Sequence, residues 1–222
     1  VSVKQGIPVY SVTYKDKTIL EDSPLGFIAN VGDFSRDMTF TGQKENKIDK
    51  TYTQDRIKQS QIHYQANELT CTFTNKEKKN INIIFRVSNN DIAFRYEMPK
   101  YGDTGSIVIE KETTGSHLSD ATADGLYTLA FPMPEENNGN GTASPGLALP
   151  GSTPWRTITV GENLKPIVET TIPWDVVEPL YPTEHTYQMG RGTWSWILWQ
   201  DGSINFDDQK KYVDLAAAMG YE

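Results

Sequence analysis

Apolar and polar residues alternate with a period of two through the first two-thirds of this chain. In Leu69-Thr70-Cys71-Thr72-Phe73-Thr74 apolar side chains alternate with threonine, the pattern of a strand with one buried face. Ile81, Ile83, Phe85 and Val87 share a face opposite Asn82, Ile84 and Arg86, and the polar stretch 75–80 joins these two runs as a turn. Ile92, Phe94 and Tyr96 alternate again after Ser88-Asn89-Asn90-Asp91. Residues 9–14 and 18–20 flank Lys15-Asp16-Lys17 as an opening hairpin. Further strands are expected at 107–109, 126–131, 156–160 and 167–172, and no helical period is visible before Asn205. Short strands separated by polar turns predict an antiparallel β-sandwich.

Two segments interrupt this rhythm. Residues 132–146 form a long loop rich in proline, glycine and asparagine, with the tight-turn dipeptides Asn138-Gly139 and Asn140-Gly141. Residues 173–186 hold Pro173, Pro179 and Pro182 and read as an extended connector, which puts a domain boundary near residue 183. A different pattern follows. Residues 194–201 carry Trp194, Trp196 and Trp199, three of the five tryptophans, and read as a buried strand ending in Gln200-Asp201-Gly202. Beyond it, Tyr212, Leu215, Ala216 and Met219 recur at the spacing of one helical stripe. Asn205 suits the helix cap, Asp207 and Asp208 suit its positive N-terminal end, and Gly220 suits its stop. A strand followed by a helix is the opening step of a parallel α/β architecture.

Length and charge narrow the classes. A chain of 222 residues buries a sizeable core. Its formal charge of -8 argues against a nucleic-acid partner, and no apolar run is long enough to span a membrane. The lone cysteine, Cys71, sits in the alternating pattern and reads as an inert core thiol. His63, His117 and His185 are far apart in sequence and show no metal-ligand spacing. No GxGxxG, P-loop or GxSxG motif occurs. Asn140-Gly141-Thr142 matches a glycosylation sequon, although a plain turn is the favoured reading.

Carboxylates and tryptophans carry the remaining chemistry. A carboxylate at the C-terminal tip of a parallel strand is where barrel enzymes place active groups, so Asp201 is a candidate. Trp196 and Trp199 are candidate platforms for the apolar face of a sugar. Glu136 and Asn138, on the long loop, are candidates to face a neighbouring pocket. A turn aspartate, core tryptophans and solvated loop residues are the competing readings.

Several motifs in order resemble glycoside hydrolase family 97, which includes α-glucosidases and α-galactosidases. The opening Pro8-Val9-Tyr10-Ser11-Val12-Thr13-Tyr14-Lys15 with Ser23-Pro24-Leu25-Gly26 is similar to that family's N-terminal hairpin. Ile92-Ala93-Phe94-Arg95-Tyr96-Glu97-Met98-Pro99 resembles its FRYE-type strand. Asp124-Gly125-Leu126-Tyr127, Thr153-Pro154-Trp155-Arg156-Thr157-Ile158 and the tryptophan segment follow in the family's order.

The resemblance implies a mainly β fold. A large antiparallel, galactose-mutarotase-like sandwich would occupy residues 1–183. A connector and the first strand and helix of an incomplete (β/α)8 barrel would occupy 184–222. It further implies exo-acting hydrolysis of terminal α-linked sugars, an oligosaccharide substrate, assistance from Ca2+, and a periplasmic or secreted location. Two carboxylates across the sugar perform such hydrolysis, either inverting or retaining. The resemblance places them on later barrel strands, so this chain needs the remainder of the barrel as its partner and is expected to be inactive alone. The stretch between Lys111 and His117 is shorter than in the family, where a calcium-binding glutamate lies, and neither Glu110 nor Glu112 matches that glutamate. The alternative is a non-catalytic carbohydrate-binding or scaffolding sandwich.

Overall fold

The computed structural model describes residues 1–54, 57–112, 117–121, 127–130, 145–178 and 190–221. Its strands in chain order are β1 (Ser2–Lys4), β2 (Ile7–Tyr14), β3 (Lys17–Pro24), β4 (Phe27–Ala29), β5 (Gly32–Asp33), β6 (Thr39–Thr53), β7 (Gln61–Thr74) and β8 (Asn80–Val87). They continue with β9 (Asp91–Met98), β10 (Ser106–Glu112), β11 (His117–Ala121), β12 (Tyr127–Ala130), β13 (Gly146–Ala148), β14 (Gly151–Ser152) and β15 (Arg156–Thr159). Among the described residues four short or medium helices follow: α1 (Lys165–Glu169), α2 (Ile172–Val176), α3 (Trp196–Trp199) and α4 (Phe206–Met219). The chain divides into two compact units, Val1–Glu178 and Pro179–Glu222. The boundary expected near residue 183 lies outside the described residues.

The first unit is a sandwich of antiparallel sheets. One layer is a six-stranded sheet in the order β14-β9-β8-β7-β6, with β15 also paired to β9. Sheets β1-β2-β3 and β13-β10-β4-β5 supply the other layer. The core between them follows from register. Leu69 pairs with Phe85 and Phe85 with Phe94, while Cys71 pairs with Ile83 and Ile83 with Tyr96. With a side-chain period of two, each of these rows points into the same core. Tyr10 from β2 meets Phe94 at 5.2 Å, and Phe27 from β4 meets the Tyr96 ring edge-on at 5.3 Å. Cys71 is buried in this core and burial pushes its thiol up, in keeping with an inert thiol.

The longest strand, β6, was not legible from the pattern. It pairs with β7 from Thr39↔Thr74 to Thr53↔Gln61. Its sequence is charged on both faces, with Lys44, Glu45, Lys47, Asp49 and Lys50, because it forms an edge of the sheet. Charged edge strands resist pairing with other chains. β8 pairs only with Asn67–Thr74 of β7, so residues 61–66 run past its end. There Ile62, Tyr64 and Ala66 form a second apolar cluster with Ile48, Tyr52 and Ile57.

The strand expected at 167–172 is absent. Residues 165–176 form α1 and α2, each with a proline in its first turn, where the missing N–H costs nothing and the fixed φ favours a helix. Of the extended connector expected over residues 173–186, residues 173–176 are helical for the same reason, and 179–186 lie outside the described residues. These helices form a strap over the outer face of the six-stranded sheet, where Ile172 and Val176 pack on Ala93 and Trp155. Two carboxylates pin the strap. Asp91 on β9 accepts the hydroxyls of Thr159 at 2.5 Å and Thr170 at 2.9 Å. Asp175 accepts the Tyr52 hydroxyl at 2.8 Å and the Thr171 hydroxyl at 2.8 Å.

In the second unit the helix reads as expected and the strand does not. Asn205 Oδ1 accepts the Asp208 amide at 2.9 Å, and Gly220 closes α4 in the left-handed region at φ 66°. The residues expected to form a tryptophan strand instead form α3 and a 3-10 turn over Gln200–Ser203. A strand needs a neighbour for its N–H and C=O groups, and no strand pairs with this segment among the described residues. The local helical bonds Leu198 N to Ser195 O (3.1 Å) and Trp199 N to Ser195 O (3.2 Å) satisfy the backbone instead. The first strand of a barrel is therefore not seen here.

Candidate functional site

The candidate residues of the second unit gather around one turn. Trp194 stacks on Trp196 with centroids 5.9 Å apart and planes 18° apart. The Trp196 indole N–H donates to Asp201 Oδ1 at 3.1 Å, which fixes the ring beside a carboxylate. Trp194 and Trp196 are 65% and 46% exposed. An exposed aromatic face next to a hydrogen-bonding carboxylate matches the apolar C–H face and polar rim of a pyranose. Trp199 turns away: its ring meets Tyr212 of α4 edge-on at 5.4 Å, with the Lys211 ammonium 5.9 Å from its centroid. Asp208 holds Lys211 in turn and raises its pKa. Trp196 and Asp201 are thus brought together, and Trp199 is not with them. Glu136 and Asn138, like the 140–142 sequon, lie outside the described residues.

The turn is held by residues that sequence reasoning missed. Ser203 is fully buried and donates to Gln200 O at 2.8 Å, with Ser195 Oγ at 3.1 Å. Gln209 of α4 donates to Ser195 Oγ at 2.7 Å and to Ser203 O at 2.8 Å. Ser195 between two tryptophans and Ser203 in a polar turn give no sign that they are buried together until a helix is laid over them. The only available cue was the placement of Gln209 one turn into a capped helix.

In the sandwich, charge concentrates in two places. Glu112, at the end of β10, is buried and forms an ion pair with Arg156 of β15. Arg156 Nη1 also donates to Thr153 Oγ1 and Pro154 O, both at 2.7 Å, and the guanidinium lies 5.3 Å from the Tyr96 ring centroid. This pair stands where the chain leaves β10 for residues 113–116. On the outer sheet face the Trp155 ring lies between two guanidiniums, Arg86 at 4.8 Å and Arg95 at 4.6 Å. Arg86 is anchored by Glu68 at 2.8 Å, and burial lowers the Arg95 pKa. Arg156 belongs to a motif singled out in the sequence, but its pairing with Glu112 needed the fold.

The described residues do not assemble a calcium site. No three or more His, Cys, Asp or Glu side chains converge among the described residues. Glu112, the glutamate nearest the shortened stretch, is committed to Arg156. His63 pairs with Asp49 at 2.7 Å on an exposed strand face. No helix is long and apolar enough to cross a membrane among the described residues.

Comparison with known proteins places the chain. It matches the family model described as "Glycosyl-hydrolase 97 N-terminal" over residues 1–132 and 115–179. A probable retaining α-galactosidase of Streptomyces bingchenggensis (strain BCW-1) is 22% identical, over 97% of this chain and 42% of that protein. The crystal structure of a β-arabinopyranosidase matches with 44% identity and a TM-score of 0.83, over 98% of this chain and 47% of that one. A glycoside hydrolase family 97 enzyme from Pseudoalteromonas sp. strain K8, in complex with acarbose, shares the fold with a TM-score of 0.70 and 20% identity, over 44% of its length. The chain spans about half the length of these relatives or a little less. It belongs to the glycoside hydrolase family 97 N-terminal family.

Proposed function

We propose that this chain is the N-terminal part of an exo-acting glycoside hydrolase that releases terminal sugars of galacto configuration. The observation that carries the proposal is the 44% identity to a β-arabinopyranosidase, spread over 98% of this chain. The retaining α-galactosidase named among the relatives supports the same sugar geometry. A β-L-arabinopyranoside has the ring configuration of an α-D-galactopyranoside and lacks only its C6 hydroxymethyl group. One pocket shape therefore serves both names, whereas an α-glucoside differs at C4.

The sandwich is proposed to support the catalytic domain and to wall its pocket. The unit from Pro179 is proposed to begin that domain, with the Trp194–Trp196 face and Asp201 meeting sugar. A calcium ion stays part of the proposal for the whole enzyme, held by groups other than those described. Catalytic carboxylates are proposed to come from outside this chain, so the 222 residues alone should not hydrolyse any glycoside. A periplasmic or secreted location remains part of the proposal.

The test is turnover by the full-length protein on nitrophenyl α-D-galactopyranoside and β-L-arabinopyranoside, with and without a chelator. Release of nitrophenol from either sugar supports the proposal. A full-length protein that is folded and inert on every such glycoside returns the chain to the non-catalytic reading.

A further inference from the structure

Where β7 runs past the end of β8, a notch opens on the sandwich. It is a cavity of about 490 Å³, within the range of roughly 300–1,000 Å³ typical of ligand sites. Three elements wall it: the β6–β7 hairpin with Gln59 and Gln65, the β8–β9 turn with Asn89 and Asn90, and α1 with Lys165 and Glu169. The geometry follows from the fold. β8 stops at Val87, the chain turns back at Ser88–Asn90, and the strap crosses on the far side.

Among the described residues, the lysine and the histidine that line the notch each have an acidic partner. Lys165 pairs with Glu169 at 3.8 Å, and His63 pairs with Asp49 at 2.7 Å. The Asp91 carboxylate is occupied by the Thr159 and Thr170 hydroxyls. Four of the lining residues are carboxamides. Asn90 donates from its amide nitrogen to Val160 O at 2.8 Å and Gln65 from its own to Asp49 at 2.8 Å, which fixes both side chains. Gln59 and Asn89 have no side-chain partner among the described residues and offer both donor and acceptor. A carboxamide pairs with vicinal hydroxyls through both of its ends. With its cations already paired and the Asp91 carboxylate on its wall, the notch disfavours an anionic ligand.

We propose that this notch binds a neutral polyhydroxylated ligand, a sugar residue of a glycan chain. The choice of a sugar among polyols rests on the hydrolase reading above. The bare edge of β7 would also accept an extended peptide, but it is only six residues long and the β8–β9 turn closes its end.

The test is an NMR titration of the full-length protein, labelled with ¹⁵N, against methyl α-D-galactopyranoside. Saturable shifts are expected in the amides of residues 61–66, 88–91 and 165–171. Asn89→Ala and Gln59→Ala, both at exposed positions, should each weaken binding about threefold or more, the effect of one lost hydrogen bond, with unchanged melting temperature. Shifts confined to Trp194 and Trp196, no shifts at all, equal shifts with glycerol, or affinity unchanged in both variants would overturn the site. Nitrophenyl hydrolysis by the full-length protein is scored separately. Hydrolysis without notch shifts removes the notch alone, and notch shifts without hydrolysis remove the hydrolase reading alone.

Discussion

The hydroxyl of Tyr96 on β9 accepts the amide hydrogen of Gly26 at 2.8 Å, across the two layers of the sandwich. Both residues belong to motifs that marked the family in the sequence, and the fold makes them touch. Tyr96 is fully buried, and Gly26 has φ +114°. A Cβ at Gly26 would sit 2.2 Å from Phe34 O. The layers are thus tied where the chain enters β4.

Tyr96→Phe should cost about 1–3 kcal/mol, since it leaves the Gly26 N–H without this acceptor in the core. Gly26→Ala should cost about 3 kcal/mol, because it combines a backbone conformation hostile to a side chain with a clash against main chain. Urea unfolding of the 222-residue chain measures both. Equal stability of Gly26→Ala and the parent would mean that the layers are not held together here.

The strap offers a second measurement. Asp175→Ala strips the acceptor from the hydroxyls of Tyr52 and Thr171 and should destabilise the chain by about 2 kcal/mol. Amide exchange should rise first in α2. Exchange that rises uniformly, or not at all, would contradict a strap pinned by this carboxylate.

Alkaline pH tests the buried phenols. Burial pushes Tyr64 and Tyr101 up to about 12 from the ordinary 10.0, and burial with the neighbouring Asp175 raises Tyr52 as well. These shifts favour the neutral phenol in the fold. Their contribution to stability is complete below pH 10 and is lost as pH rises from 10 towards 12. Phenolate absorbance should therefore show an early class of tyrosines and a late class that ionises as the fold melts. A single class near 10 would contradict the burial of these rings.

Tyr64 carries a further consequence. Its hydroxyl is buried without a hydrogen-bond partner among the described residues. Tyr64→Phe should be neutral or stabilising by up to about 1 kcal/mol, the reverse of Tyr96→Phe. A loss of stability on this substitution would reveal a partner for the hydroxyl.

What the sequence disclosed follows the physics of each element. The strands carrying Phe73, Phe85 and Phe94 were legible because a core on one side imposes a period of two. Helix α4 was legible from Asn205 and Gly220, since caps are local chemistry. β6 was hidden because it is a charged edge whose order comes from β7. The segment at Trp194 misled because an apolar run does not tell a strand from a helix, and the decision rests on whether another strand lies beside it. The Trp196–Asp201 contact was half visible: both residues were chosen, but for the tip of a strand. The Ser195–Ser203–Gln209 bonds and the Glu112–Arg156 pair join residues that mean nothing together until the chain is folded.

The central claim is that this sandwich belongs to a hydrolase of galacto-configured sugars, and C4 is where that claim is most exposed. The measurement is kcat/KM of the full-length protein on nitrophenyl β-L-arabinopyranoside, α-D-galactopyranoside and α-D-glucopyranoside. The account predicts turnover of the first two, with the glucoside at least about a hundredfold poorer, since a polar pocket built for one hydroxyl orientation leaves groups unpaired with the other. A glucoside cleaved as fast as, or faster than, the galactoside would contradict it.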